Sequence, residues 1–314
     1  MKTLRTPSTK RGFTLMELMV AMAITTIIVT VLVSITSIAL DTWNRSRSEL
    51  RAARQAKGMI DTMARDFEAL VTRRGNTNEW LSAITEQSPV GSSKLKSTNA
   101  SKLIFFSAAT DRYNGEIAGK DQVMGTGDDP AGGDVSCVAY QLDYKDPIDS
   151  SSSGFETFVL SRLLVDPKPT FDQLLGVANK DKPLAGVFNG AYSATKVSDS
   201  TNFVCENIYQ FTVTFHVQVT DSTKVPPVTN VPVTLGKDTK SLRILGTGIV
   251  TDPVSSNLLL PSGRVTAVEI STTVVSDFGV DQLKKRNFDD ETAKAKFLAQ
   301  NSYQYTKLVQ LPSM

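Results

Sequence analysis

The chain has 314 residues, 40% of them hydrophobic and 21% charged, a globular composition that excludes a wholly disordered protein. The formal net charge is +2, and four basic residues (Lys2, Arg5, Lys10, Arg11) fall in the first eleven positions with no acid among them; the remainder carries −2, so a nucleic-acid-binding body is not indicated. Two cysteines, Cys137 and Cys205, suffice for one disulfide, which an exported domain permits; two buried thiols are the other reading.

The basic start leads into Lys10-Arg11-Gly12-Phe13-Thr14-Leu15-Met16-Glu17. From Leu18 to Leu40 no residue is charged. About 20 apolar residues cross a bilayer as a helix, so this run is long enough. It is too long for a secretory signal core, and no A-x-A-like cleavage site follows it. Thr25, Thr26, Thr30, Thr36, Ser34 and Ser37 interrupt the aliphatics, but their hydroxyls can bond back to helix carbonyls. Glu17 is the one acid at the head of this run, and a carboxylate in lipid is costly.

Basic residues, a small residue, a hydrophobic one, a carboxylate four positions on and then the span follow one another. This order resembles the class III signal of type IV prepilins and type II secretion pseudopilins. The resemblance implies cleavage after Gly12 by a prepilin peptidase and methylation of the new amine of Phe13. It also implies that Glu17 pairs with the Phe13 ammonium of a neighbouring subunit. On this reading residues 1–12 are a leader and 13–40 a transmembrane and assembly helix. The helix would sit in a bacterial inner membrane with its N-terminus cytoplasmic and the body periplasmic. An ordinary signal anchor, with Glu17 incidental, is the alternative. Arg45, Arg47, Arg51, Arg54 and Lys57 lie just past the span, where charge bias alone would also hold them inside. They would instead meet lipid headgroups or a neighbouring subunit.

Residues 41–75 read as an amphipathic continuation of the helix. Ala53, Ala56, Ile60, Met63, Phe67 and Leu70 recur at helical spacing, no proline intervenes, and Gly75-Asn76 supplies a stop. Trp43 falls where an interfacial anchor would sit. The periodicity thus predicts one helix over roughly Phe13–Arg74, a stretch of about 90 Å at 1.5 Å per residue.

Residues 76–314 read as a β-rich body with polar loops. Strands are predicted at 102–109, 135–144, 156–165, 208–220, 242–250 and 264–276. In 208–220, Phe211, Val213, Phe215, Val217 and Val219 alternate with Thr212, Thr214, His216 and Gln218, which places the second set outward. Loops are predicted at 88–101, 114–134, 149–154 and 222–235, and a short helix at 290–300, capped by Asp289 or Asp290. The fold class is α+β: a long N-terminal helix packed on an antiparallel, pilin-like β domain.

Several body segments resemble the large minor pseudopilins of the J class: VAYQL (138–142), FVLSRLL (158–164), IYQFTVTF (208–215), AVEISTTV (267–274) and YTKLVQLP (305–312). A wider likeness is to cassette protein C, a pilin-like family of Verrucomicrobia. It rests on residues 42–43, 52–70, 133–144 and 206–217, and implies no defined chemical activity.

The one histidine, His216, leaves little for acid–base or zinc chemistry, and no G-x-S-x-G, Walker A or H-E-x-x-H motif occurs. An enzyme is therefore not expected. Asp121, Asp128, Asp129 and Asp134 lie among glycines in an oxygen-rich loop, which is a calcium candidate with a solvated turn as the first reading. No other cofactor is expected. The leading functional reading is a minor pilin or pseudopilin subunit of a type II secretion or type IV pilus-like assembly. Its partners would be the prepilin peptidase, other pilins and the inner membrane, and the body's bulk suits a tip or priming position. A pilin-borne adhesin or DNA-uptake tip is the alternative, ahead of a membrane-anchored enzyme.

Overall fold

The computed structural model describes residues 12, 14–86, 88–92, 96–108, 134–148, 155–220, 228–254, 263–288 and 290–311. The chain divides into two units, residues 1–49 and 50–314. One helix, α1 (Leu15–Glu68), begins in the first and ends in the second.

In the first unit every described residue up to Arg47 is exposed. Six hydroxyls of this segment are nevertheless satisfied. Thr25, Thr26, Thr30, Ser34, Thr36 and Thr42 each donate to the carbonyl four residues back, at 2.8–2.9 Å. The polar atoms of an otherwise aliphatic helix are thereby absorbed into its own backbone, as a helix without water around it requires.

In the second unit α1 buries Ala52, Ala56, Met59, Ile60, Met63, Ala64, Asp66 and Phe67. The predicted stripe is present, with Ala53 half-buried beside it. The helix stops at Glu68, before the glycine that the sequence offers as a stop. Its last carbonyls find other partners. Ser107 Oγ donates to Asp66 O at 3.0 Å, Ala108 N–H donates to Ala69 O at 2.8 Å, and Leu70 forms a β-bridge to Ser107. Once those acceptors are met by a strand, nothing holds the next turn helical.

The body is built on two antiparallel sheets. Its strands are β1 (Glu79–Thr85), β2 (Val90–Gly91), β3 (Lys96–Ser97), β4 (Ser101–Ser107), β5 (Ser136–Lys145), β6 (Thr157–Val165), β7 (Phe203–Glu206), β8 (Ile208–Thr220), β9 (Val228–Thr234), β10 (Thr239–Leu245), β11 (Gly248–Pro253), β12 (Arg264–Val275) and β13 (Ser302–Gln310). The larger sheet runs β11-β10-β1-β4-β5-β6-β7 and the smaller β13-β12-β8-β9, while β2 and β3 pair alone. The helices are α2 (Pro167–Pro169), α3 (Leu184–Ala191), α4 (Ala194–Val197), α5 (Asp277–Lys285) and α6 (Glu291–Asn301), with a π-helical turn at Thr170–Leu174. The α+β class stands: a long N-terminal helix, its later part packed on a β-rich antiparallel domain.

Alternation divides the interior in two. Leu103 and Phe105 of β4 join a core shared by α1, the larger sheet and the inner face of the smaller one. Ile104 and Phe106, their neighbours, face the other way and meet Trp80, Leu174, Leu184 and Phe188 under the segment 166–202. Strands such as β1 are therefore apolar on both sides. The run 242–250, read as one strand, is a hairpin of β10 and β11 that turns at Gly246 and Thr247. Residues 228–234, read as loop, are an edge strand; Pro232 fits there because an edge position need not donate to a further neighbour. The 290–300 helix is present, and its Asp290 carboxylate accepts from Ala293 N–H. Asp289 lies outside the described residues.

One buried charge fixes the helix against the larger sheet. Asp66 sits in the last turn of α1 with its side chain 4% exposed. Arg162 of β6 grips it twice, Nε to Oδ2 and Nη2 to Oδ1, both at 2.8 Å. Tyr140 Oη of β5 donates to Oδ2 at 2.5 Å. Burial, reinforced by the adjacent Asp66 charge, pushes the Tyr140 phenol well above its ordinary range, which keeps it a donor. Beside this cluster Phe67, Phe105 and Tyr140 stack in a column, with centroids 4.7 and 6.4 Å apart. Removing one partner from a buried pair strands the other charge, so Arg162→Ala should lower stability by about 3–5 kcal/mol. Tyr140→Phe should cost about 1–3 kcal/mol. Urea unfolding of the full chain in detergent micelles, followed by near-ultraviolet circular dichroism, measures both.

Glu79 opens β1 and has a different fate. One oxygen accepts from Leu184 N–H at 3.2 Å and lies 3.5 Å from Arg243, while the other has no partner. Burial therefore raises its carboxyl above the ordinary 4.5. The folded state then holds its proton to higher pH than the unfolded chain does. Its contribution is complete below about 4.5 and is lost as pH rises through the raised value. Wild type should gain stability relative to Glu79→Gln as pH falls from 7 towards 4.5, read as the difference between their melting curves.

Candidate functional site

The candidate site is the start of the chain. Gly12 is exposed, and Phe13 lies outside the described residues. Thr14 precedes the first helical residue, and its hydroxyl accepts from Glu17 N–H at 3.2 Å. Glu17 returns the contact: its Oε2 accepts from Thr14 N–H at 2.9 Å and from Thr14 Oγ1 at 3.0 Å. This is a capping box, with two otherwise unpaired helix-start donors satisfied reciprocally. The sequence reading of Glu17 missed it, although Thr-x-x-Glu before an apolar run is its recognised signature.

Beyond the cap, α1 is the one helix among the described residues long and apolar enough to cross a membrane. Its most apolar window has a mean hydropathy of 2.6, and none of that window is buried. Such a helix supports single-pass topology. Trp43 is exposed near the end of the span. The basic residues after it are partly committed: Arg45 pairs with Glu49 at 3.2 Å, and Arg51 reaches Glu206 at 2.7 Å and Asp277 at 3.4 Å. Arg47, Arg54 and Lys57 stay exposed.

A family model described as the prokaryotic N-terminal methylation motif matches residues 7–33. The chain carries a class III methylation signal. Such a signal is typical of pilin-like proteins and implies a prepilin peptidase and contact with other pilins. The match takes in Lys10, Arg11, Gly12, the capping box and the apolar run as far as Val33. No curated protein and no solved structure matches the chain.

The other candidates lie elsewhere. Cys137, on β5, and Cys205, on β7, are both free and buried, so the structure corrects the disulfide reading. They belong to cores on opposite sides of the larger sheet. Cys137 faces Val165 and Cys205 faces Leu160 across β6, which at usual strand dimensions separates them by about 19 Å. His216 sits half-buried on the outer face of β8, as expected, with Nε2 3.5 Å from Glu269. Asp134 is exposed, whereas Asp121, Asp128 and Asp129 lie outside the described residues. Among the described residues no group of three or more His, Cys, Asp or Glu could hold a metal ion.

Burial raises the Cys137 thiol strongly and pushes Cys205 up to about 12. Thiolate, not thiol, reacts, so native protein should label slowly with a disulfide reagent at neutral pH. Two thiols should then titrate promptly on unfolding, without reductant.

Proposed function

We infer that the chain is a minor pilin- or pseudopilin-like structural subunit of a type II secretion or type IV pilus-like assembly. A prepilin peptidase cuts it after Gly12 and methylates the amine of Phe13. The body then lies in the periplasm, with residues 13–40 anchored in a bacterial inner membrane until the helix moves into a filament. The observation that carries this reading is the coincidence of the methylation signal with an apolar helix start whose most apolar window holds no buried residue. An exposed apolar helix needs lipid or other helices to cover it.

Glu17 has two roles on this reading. Before assembly its carboxylate is held by Thr14 of its own chain. In the filament it exchanges that contact for the Phe13 ammonium of a neighbour, where opposite charges offset each other's desolvation and fix axial register. The J-class and cassette protein C likenesses belong to the same reading. Their segments 52–70, 138–142 and 158–164 are those that meet at Asp66, Tyr140 and Arg162.

Intact mass and N-terminal analysis of protein from a native membrane test the reading. The expected chain starts at methylated Phe13; an intact Met1, or a start beyond Leu40, would overturn it. Glu17→Gln should still be cleaved but should lose most of its incorporation into sheared filaments or cross-linked complexes.

A further inference from the structure

We propose that the body carries an oxyanion-binding cleft beyond the C-terminal end of α1. The cleft has a volume of about 240 Å³ and lies between the loop after α1, the β10–β11 turn and the start of β12. Among the described residues three guanidinium-bearing ones line it, Arg73, Arg74 and Arg264, and none of the lining residues is acidic. Arg264 is half-buried and oriented by Gln218, whose Oε1 accepts from Nη2 at 3.2 Å. Arg73 and Arg74 are exposed, and among the described residues neither has an acidic partner.

The loop that presents these arginines is held in place. Gly75 N–H donates to Gly246 O at 3.1 Å, and Gly246 N–H donates to Asn78 O at 3.0 Å. Asn76 braces it from within, donating to Arg73 O and accepting from Asn78 N–H and Trp80 Nε1. The approach is so close that a Cβ on Gly246 would fall 2.4 Å from Asn76 O. The helix dipole does not account for the two arginines, because the last carbonyls of α1 are met by Ser107 and Ala108 and the effect fades within a turn. Arg73 and Arg74 are neighbouring like charges at one concave site, and an anion there would relieve their repulsion.

The chemistry names the ligand class. Guanidinium forks suit the paired oxygens of a phosphate or carboxylate. Ile244, Ile249 and Val265 supply an apolar wall for a short organic body, and Thr247 adds a hydroxyl at the turn. The cleft therefore fits a phosphate group, either free or on a small ester such as a lipid headgroup.

Calorimetric titration of the full chain in maltoside micelles tests this, with inorganic phosphate in one arm and water-soluble dihexanoyl phosphatidic acid in the other. Saturable binding of one equivalent is expected, weaker at higher salt. The Arg73→Gln/Arg74→Gln variant changes exposed side chains only and should bind at least about tenfold more weakly, with an unchanged melting curve. Binding of both probes marks the phosphate itself as the ligand; binding of the phosphatidate alone marks a headgroup ester. Absence of saturable binding in both arms, or equal binding by the variant, would overturn the proposal.

Discussion

Everything in the body is arranged about a carboxylate that cannot be left alone. Asp66 lies in an interior where an unpaired charge would be prohibitive, and Arg162 and Tyr140 occupy both of its oxygens. The requirement is geometric as well as energetic. A bidentate guanidinium contact admits one axial position and one rotation of the helix over strands β5 and β6. The aromatic column of Phe67, Phe105 and Tyr140 then packs in the only register left open.

Much of this was legible in the sequence, and the exceptions have physical causes. Period-two alternation located β8 and β12 because each has one wet and one dry face. It missed β1, whose Trp80 serves the core on one side of the sheet while Leu81 and Ala83 serve the core on the other. Pro232 disguised β9, since a proline argues against a central strand but not an edge one. The α1 stripe was clear, yet its end was set by Ser107, 39 residues after Glu68, and no local signal encodes a partner so distant. Asp66, beside that stripe, likewise carries no local sign of its burial, because its partners lie 74 and 96 residues further on.

At the candidate site the sequence was more informative about identity than about state. The order of basic residues, glycine, acid and apolar run led directly to the methylation signal. What that order does not convey is that Glu17 is already occupied within its own chain, a fact signalled instead by Thr14 three residues before it. The same economy governs much of the segment, where Thr25, Thr26, Thr30, Ser34 and Thr36 bond to the turn before them. A helix apolar enough to cross a membrane gains from leaving few polar atoms dependent on water.

The later half of α1 is fastened at three heights: Arg51 to Glu206, Asp61 to Lys307 at 2.7 Å, and Asp66 to Arg162. The anchors lie on β7, β13 and β6, so both sheets take part. Tension applied along this part of the helix strains all three at once, in shear, instead of peeling them off one by one. The helix would behave as a riveted spar, yielding only when the whole seam gives way. A helix seated in this manner resists sliding along its own axis, quite apart from what the surface of the body binds.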